Sequence, residues 1–182
     1  MAKILIFVFM LFLGITYSFS QKINWVTIEE AQELTKKEPR KIIMDVYTNW
    51  CGPCKLLDRN TFGNADVAEY INENYYAVKF NAEGDSTVNF EENTFTNPNY
   101  DPAKANRRNA KHQFASYLNV RAYPTIIFLD ENLNLIAPIT GYLSPKQIEI
   151  YLKLFYSNDY KSVSSKEDWE NYQKEFVNKF EG

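Results

Sequence analysis

Three short apolar runs, each rich in β-branched or aromatic residues, set the plan of this chain. They are Lys41 to Tyr47 (KIIMDVY), Tyr76 to Asn81 (YAVKFN) and Thr125 to Leu129 (TIIFL). Runs of this length, bounded by turn residues, read as buried strands. Helix signals stand between them. Thr27 and Glu30 form a capping box, which predicts a helix to about Lys36, ended by the turn around Pro39. Asn64 caps a predicted helix over Ala65 to Asn74, and Arg108 to Leu118 reads as another. Asp130 to Asn132 makes a turn before a short strand at Leu133 to Ile136. Ser144 and Gln147, with Pro145 at the first helical position, open a helix to about Tyr156.

Two stretches break this rhythm. Gly84 to Arg107 is polar, rich in Asn and holds Pro98 and Pro102. It reads as an insertion, with a hairpin of Thr87 to Phe90 and Thr94 to Thr96 about Glu92-Asn93, and otherwise as surface loop. Ser157 to Ser165 reads as a polar linker into a last helix with a capping pattern at Ser164 and Glu167. Its Trp169, Tyr172, Phe176 and Phe180 fall on one stripe, which is expected to pack back on the domain rather than serve a partner or a membrane. The chain has 182 residues, so residues 21–156 would form one domain and 157–182 an appendage.

The N-terminus differs in kind. Lys3 precedes an almost unbroken apolar run from Ile4 to Ile15, and Ser18-Phe19-Ser20 is a small-x-small cleavage pattern before Gln21. The run is short for a permanent membrane span, which needs about 20 apolar residues. Residues 1–20 therefore read as a signal peptide, and the mature protein is expected to be exported, periplasmic or secreted, without stable membrane insertion. No Cys follows the run to take a lipid anchor. A net charge of −3 leaves no general basic footprint for nucleic acid.

Export permits disulfides. There are only 2 cysteines, Cys51 and Cys54. A loop this short makes a poor structural staple, because loop-closure stabilisation grows with loop length. The pair reads as chemical. At a strand-to-helix junction the first cysteine sits at the helix start, where free N–H groups and the helix dipole favour its thiolate. That thiolate can attack a disulfide, and the second cysteine, one turn on, can resolve the mixed disulfide. Pro53 stiffens the turn and Gly52 keeps the approach open. Half a zinc site is the competing reading. A closed site needs four ligands, and the only other strong donor is the single histidine, His112. No metal is expected. His112, beside Arg108 and Lys111, reads as a solvated side chain rather than a partner for a nucleophilic cysteine. Arg107, Arg108 and Lys111 read as a solvated helix face, with an acidic partner as the alternative.

Trp50-Cys51-Gly52-Pro53-Cys54-Lys55 resembles the active-site motif of the thioredoxin family at every position. The likeness extends further. Asp45 stands six residues before Cys51, where that family carries a buried Asp. Lys79 lies in the next strand, where many members carry a Lys paired with that Asp. Tyr123-Pro124-Thr125 resembles the family's cis-proline loop, and Gly141 precedes the last helix as it does there. The match covers most of Ile23 to Tyr156, and is closest in kind to secreted or periplasmic bacterial members with a signal peptide and an insertion.

The resemblance implies a thioredoxin-like α/β fold: a central mixed sheet flanked by helices. It implies Cys51 as attacking thiol, Cys54 as resolving thiol and Asp45 as proton acceptor for Cys54. Trp50, Gly52, Pro53, Tyr123, Pro124 and Thr125 would form the substrate surface. An isolated carboxylate in an apolar strand is costly unless it is paired or at work, so a satisfied structural Asp45 is the alternative. Lys79 could couple to Asp45 or simply face water. The implied activity is reduction of disulfides in exported proteins by a monomer without cofactor, recharged by a membrane thiol–disulfide electron donor. The Gly-Pro dipeptide between the cysteines resembles the reducing members. A disulfide oxidase or isomerase, or a non-catalytic module holding extended peptides at Pro124, are the alternatives.

Overall fold

The computed structural model describes residues 22–182, and the signal-peptide reading of residues 1–20 lies outside them. The three apolar runs form the middle of a five-stranded sheet. Its strands are β1 (Trp25–Val26), β2 (Lys41–Tyr47), β3 (Tyr75–Asn81), β6 (Thr125–Leu129) and β7 (Leu135–Thr140), in the order β1-β3-β2-β6-β7. β1, β3 and β2 are parallel, while β6 and β7 run antiparallel to their neighbours. This is the mixed sheet that the resemblance implies. Edge strand β7 carries Pro138, which only an edge tolerates because proline has no N–H to donate.

Strand side chains alternate between faces, and this sorts the core into two clusters. Ile42, Met44 and Val46 pack with α1 (Ile28–Lys37) and with Phe114 and Ala115 of α4 (Gln113–Tyr117). Ile43, Ala77, Ile126 and Phe128 pack on the other side, against α3 (Ala65–Asn74) and α5 (Pro145–Tyr156). Asp45 and Lys79 share the parity of Ile43 and Ala77 and face each other in the β2–β3 register. They are polar positions next to the apolar Ile43, Ala77 and Ile126 of that face.

The caps read from sequence at Thr27, Asn64 and Ser144 are all formed. Several boundaries differ. The helix after Cys51, which the sequence places from within the cysteine motif to about Arg59, is α-helical only over α2 (Gly52–Leu57) and continues as a π-helical turn, Asp58–Phe62. The hairpin is β4 (Val88–Phe90) with β5 (Asn93–Phe95), turning on Glu91-Glu92, with Glu91 left-handed at φ 52°. The strand expected at Leu133 to Ile136 begins later, because Leu133 sits in the turn at φ 66°.

The helix expected from Arg108 is only α4, and His112 is the reason. Its Nδ1 accepts the N–H of Phe114 at 3.0 Å, capping the helix there, while its own N–H pairs with Ala82 O at 2.8 Å. The ring is fully buried, with Nε2 2.7 Å from Ser86 O, so the solvated reading of His112 is corrected. Residues Arg108 to His112 are a strap across the end of β3, not a helix face.

The C-terminal helix, α6 (Lys166–Glu175), is capped by Ser165 and Asp168, one residue later than the Ser164–Glu167 pattern. It ends before Phe176, so the aromatic stripe is only partly helical. It does pack back: Trp169 stacks on Tyr151 at 5.6 Å. The tail then crosses to α5 and α3. Fully buried Glu149 accepts the backbone N–H groups of Lys179 and Phe180, each at 2.9 Å, and pairs with Lys153. Glu149→Gln removes the charge pair and weakens the tail's anchor. It should lower stability by about 1–2 kcal/mol, checked by urea unfolding. Among the described residues no helix is long and apolar enough to cross a membrane.

Candidate active site

β2 delivers the chain to Thr48, Asn49 and Trp50, and α2 starts immediately after. Cys51 is the N-cap of α2, and its Sγ accepts the N–H of Cys54 at 3.1 Å. One N–H of the helix start, that of Cys54, thus points at Cys51 Sγ. The two sulfurs are joined in a disulfide. Exposure does not separate them, at 2% for Cys51 and 4% for Cys54. Position does: Cys51 begins the helix and Cys54 lies within its first turn. Gly52 and Pro53 between them are exposed.

Asp45, 1% exposed, lines the same cleft as Cys54. Its Oδ1 has no hydrogen-bond partner, and its Oδ2 is 3.7 Å from Lys79 Nζ. Burial pushes the Asp45 carboxyl up to about 7. The Lys79 charge opposes this, and the Asp58 carboxylate adds to it. Lys79 is therefore turned inward, not simply towards water. Its closer partner is Asp58, on the π-helical turn, with which it forms an ion pair. An open cleft of about 400 Å³ is lined by Asp45 and Cys54 together, with Lys55, Asp58, Lys79 and Asn106. A carboxyl poised near neutrality and a buried sulfur share one solvent-accessible space. That arrangement suits proton exchange between them.

Tyr123–Pro124 is a cis peptide. The loop is fixed at both sides: Gly141 N–H donates to Pro124 O at 2.9 Å, and Thr125 Oγ1 donates to Ala122 O at 2.8 Å. Thr125 is buried, its hydroxyl is turned into the loop itself, and its position is paired with Val46 and Thr140 in the sheet. The ring of Tyr123 meets that of half-buried Trp50 edge to face at 6.1 Å. The loop and the cysteine motif thus meet through these two rings.

Three groups at the site lie outside the sequence reading. Asp58 had a signal, because it stands four residues after Cys54 and so falls on the same helical side. Glu83 had none. Its Oε2 accepts both Trp50 Nε1–H at 2.7 Å and the backbone N–H of Asn109 at 2.8 Å. Arg108 had only its place in a basic cluster. Its guanidinium lies over the Trp50 ring at 4.9 Å. All three depend on chain segments distant in sequence.

The family profile described as a thioredoxin-like domain matches residues 28–156. Among curated proteins, the thiol:disulfide interchange protein DsbD of Haemophilus ducreyi is 29% identical over 134 residues, covering 72% of this chain and 19% of that protein. DsbD of Pectobacterium atrosepticum is 22% identical over 147 residues, covering 78% and 22%. The chain spans about a fifth of the length of these relatives. A solved thioredoxin-fold protein from Helicobacter pylori superposes with a TM-score of 0.53 at 18% identity, covering 75% of this chain and 81% of the other. A thioredoxin from Thermus thermophilus gives 0.53 at 13% identity, covering 75% and 88%. At such identities the structural likeness concerns the fold alone.

Proposed function

The chain belongs to the thioredoxin-like domain family, and from that premise we propose that it is an exported thiol–disulfide oxidoreductase working as a protein-disulfide reductase. One observation carries the reading: Cys51 and Cys54 at a strand-to-helix junction, with Asp45 buried in the cleft that Cys54 also lines. In the reduced protein the Cys51 thiolate attacks one sulfur of a substrate disulfide. That S–S bond breaks, a Cys51–substrate disulfide forms, and the other substrate sulfur leaves as a thiolate. Cys54 then gives its proton to the Asp45 carboxylate. The Cys54 thiolate attacks Cys51 Sγ, the substrate leaves as its second thiolate, and the Cys51–Cys54 disulfide remains. Both substrate sulfurs are reduced and both cysteines oxidised.

Recharging the pair takes two electrons from another dithiol, because the chain has no further cysteine. The kinship with part of DsbD supports a membrane thiol–disulfide donor. Trp50, Tyr123 and the exposed Gly52-Pro53 edge would receive the substrate, with Pro124 shaping the groove.

The test is reduction of insulin disulfides by residues 21–182 with a dithiol as reductant. Catalytic turnover well above the dithiol alone is expected. A non-catalytic peptide holder would bind without accelerating the reaction and would overturn the reading. Faster oxidation of a reduced, unfolded substrate than reduction of insulin would reassign the direction.

A further inference from the structure

The insertion is anchored to the short segment that leads into Cys51. Asn49 Nδ2 donates to Ala105 O at 2.8 Å. Glu83 holds Trp50 and the backbone of Asn109 with one oxygen. Between these ties the Arg108 guanidinium lies over the Trp50 ring at 4.9 Å, with its neighbour Arg107 exposed. The stack fixes an otherwise flexible side chain next to the cysteine motif.

The charges on this side are unevenly satisfied. Among the described residues, Arg107, Arg108, Lys55 and Arg121 make no ion pair. Lys55 lines the cleft, and Arg121 precedes the loop that carries Tyr123. Two nearby carboxylates are paired, Asp58 with Lys79 and Asp101 with Lys104, while Glu83 keeps its charge but spends one oxygen on the N–H groups of Trp50 and Asn109. A chain of net charge −3 therefore presents unpaired cations around its cysteine pair.

We propose that Arg108, assisted by Arg107, reads carboxylates flanking the substrate's disulfide, so that the substrate is an acidic polypeptide segment. The inference rests on the reductase reading and names its substrate class. A guanidinium presents a planar fork of donors that fits a carboxylate in two-point contact. Held on the Trp50 ring, it loses little freedom when the carboxylate arrives. Complementary charge also speeds encounter and rejects like-charged partners.

The experiment measures second-order rates of reduced protein with disulfide peptides of one length, flanked by Glu, Gln or Lys. The Glu peptide should react roughly tenfold faster than the Lys peptide at low salt, converging as salt is raised. Arg108→Glu should invert the order. If its near-UV circular dichroism shows a disturbed Trp50, Arg107→Glu, which leaves the stack in place, should narrow the Glu-to-Lys ratio at least threefold. Equal rates for the three peptides would overturn the inference and leave the reductase reading standing. An order unchanged in both variants would remove the role from Arg108 and Arg107 and overturn the inference. No exchange with any peptide would sink the reductase reading and the inference with it.

Discussion

Cys54→Ser should turn the protein into a covalent trap, with multiple turnover lost and a Cys51–substrate disulfide accumulating in its place. Cys51→Ser should lose turnover equally and trap nothing. The asymmetry follows from the helix start. Cys51 Sγ receives the Cys54 N–H, and the N–H groups of the first turn favour a thiolate there. Cys54, one turn in, has no such donors but lines the cleft with Asp45. Its attack on the mixed disulfide is intramolecular, and holding the two sulfurs within one helical turn replaces a second collision. Without Cys54 the mixed disulfide waits for external thiol. The trapped adduct, resolved by non-reducing gel and mass spectrometry, would also name the natural partner. Adducts forming through Cys54 in the Cys51→Ser protein, but not through Cys51, would reverse the two roles.

The parts of this molecule that could be read from sequence are those fixed locally. Thr27, Asn64 and Ser144 cap where their spacing says, because a cap is decided within one turn. The Cys51–Cys54 pair is legible in the same local way, from its spacing and its place at a helix start, whereas Asp45 stands out only through the family resemblance. The misreadings share a different cause. Arg108 to His112 has helix-forming residues, but its backbone pairs with Ala82 and Glu83 across the fold. Tertiary pairing overrode local propensity. The charged sequence neighbours of His112 point to solvent, whereas Ser86 and Phe80 meet it from other segments. Likewise Phe180 does lie on the domain, but through an extended tail captured by Glu149, which stands about 30 residues earlier in the chain. The insertion's closeness to Trp50 could not be read at all, since it depends on Glu83 bridging two loops.

Asp45→Asn should slow exchange on the order of 10²-fold near pH 8, the size of effect ordinary for a lost proton acceptor. In the native protein the resolving step should accelerate as pH rises through about 7, where Asp45 gives up its proton, and level off above it. The Asn variant should lack that inflection. Asp58→Asn should move it to lower pH, because Lys79 would be released towards Asp45 and a nearby negative charge would be gone. Stability carries the same signature with a worked sign. The folded Asp45 titrates near 7 and the unfolded one near 3.8, so between these values the folded state holds the extra proton. Its contribution to stability is fully present below about 3.8 and is lost as pH rises through 7, a change on the order of 4 kcal/mol. Asp45→Asn should abolish this slope. At pH 8, where the native protein must bury a charge whose Oδ1 has no partner, the variant should be at least as stable, by a margin of up to about 3 kcal/mol. Urea midpoints of the disulfide form at pH 5 and pH 8 decide it. An equal drop in both proteins would place the titrating group elsewhere, and an unchanged rate profile would leave Asp45 a structural residue.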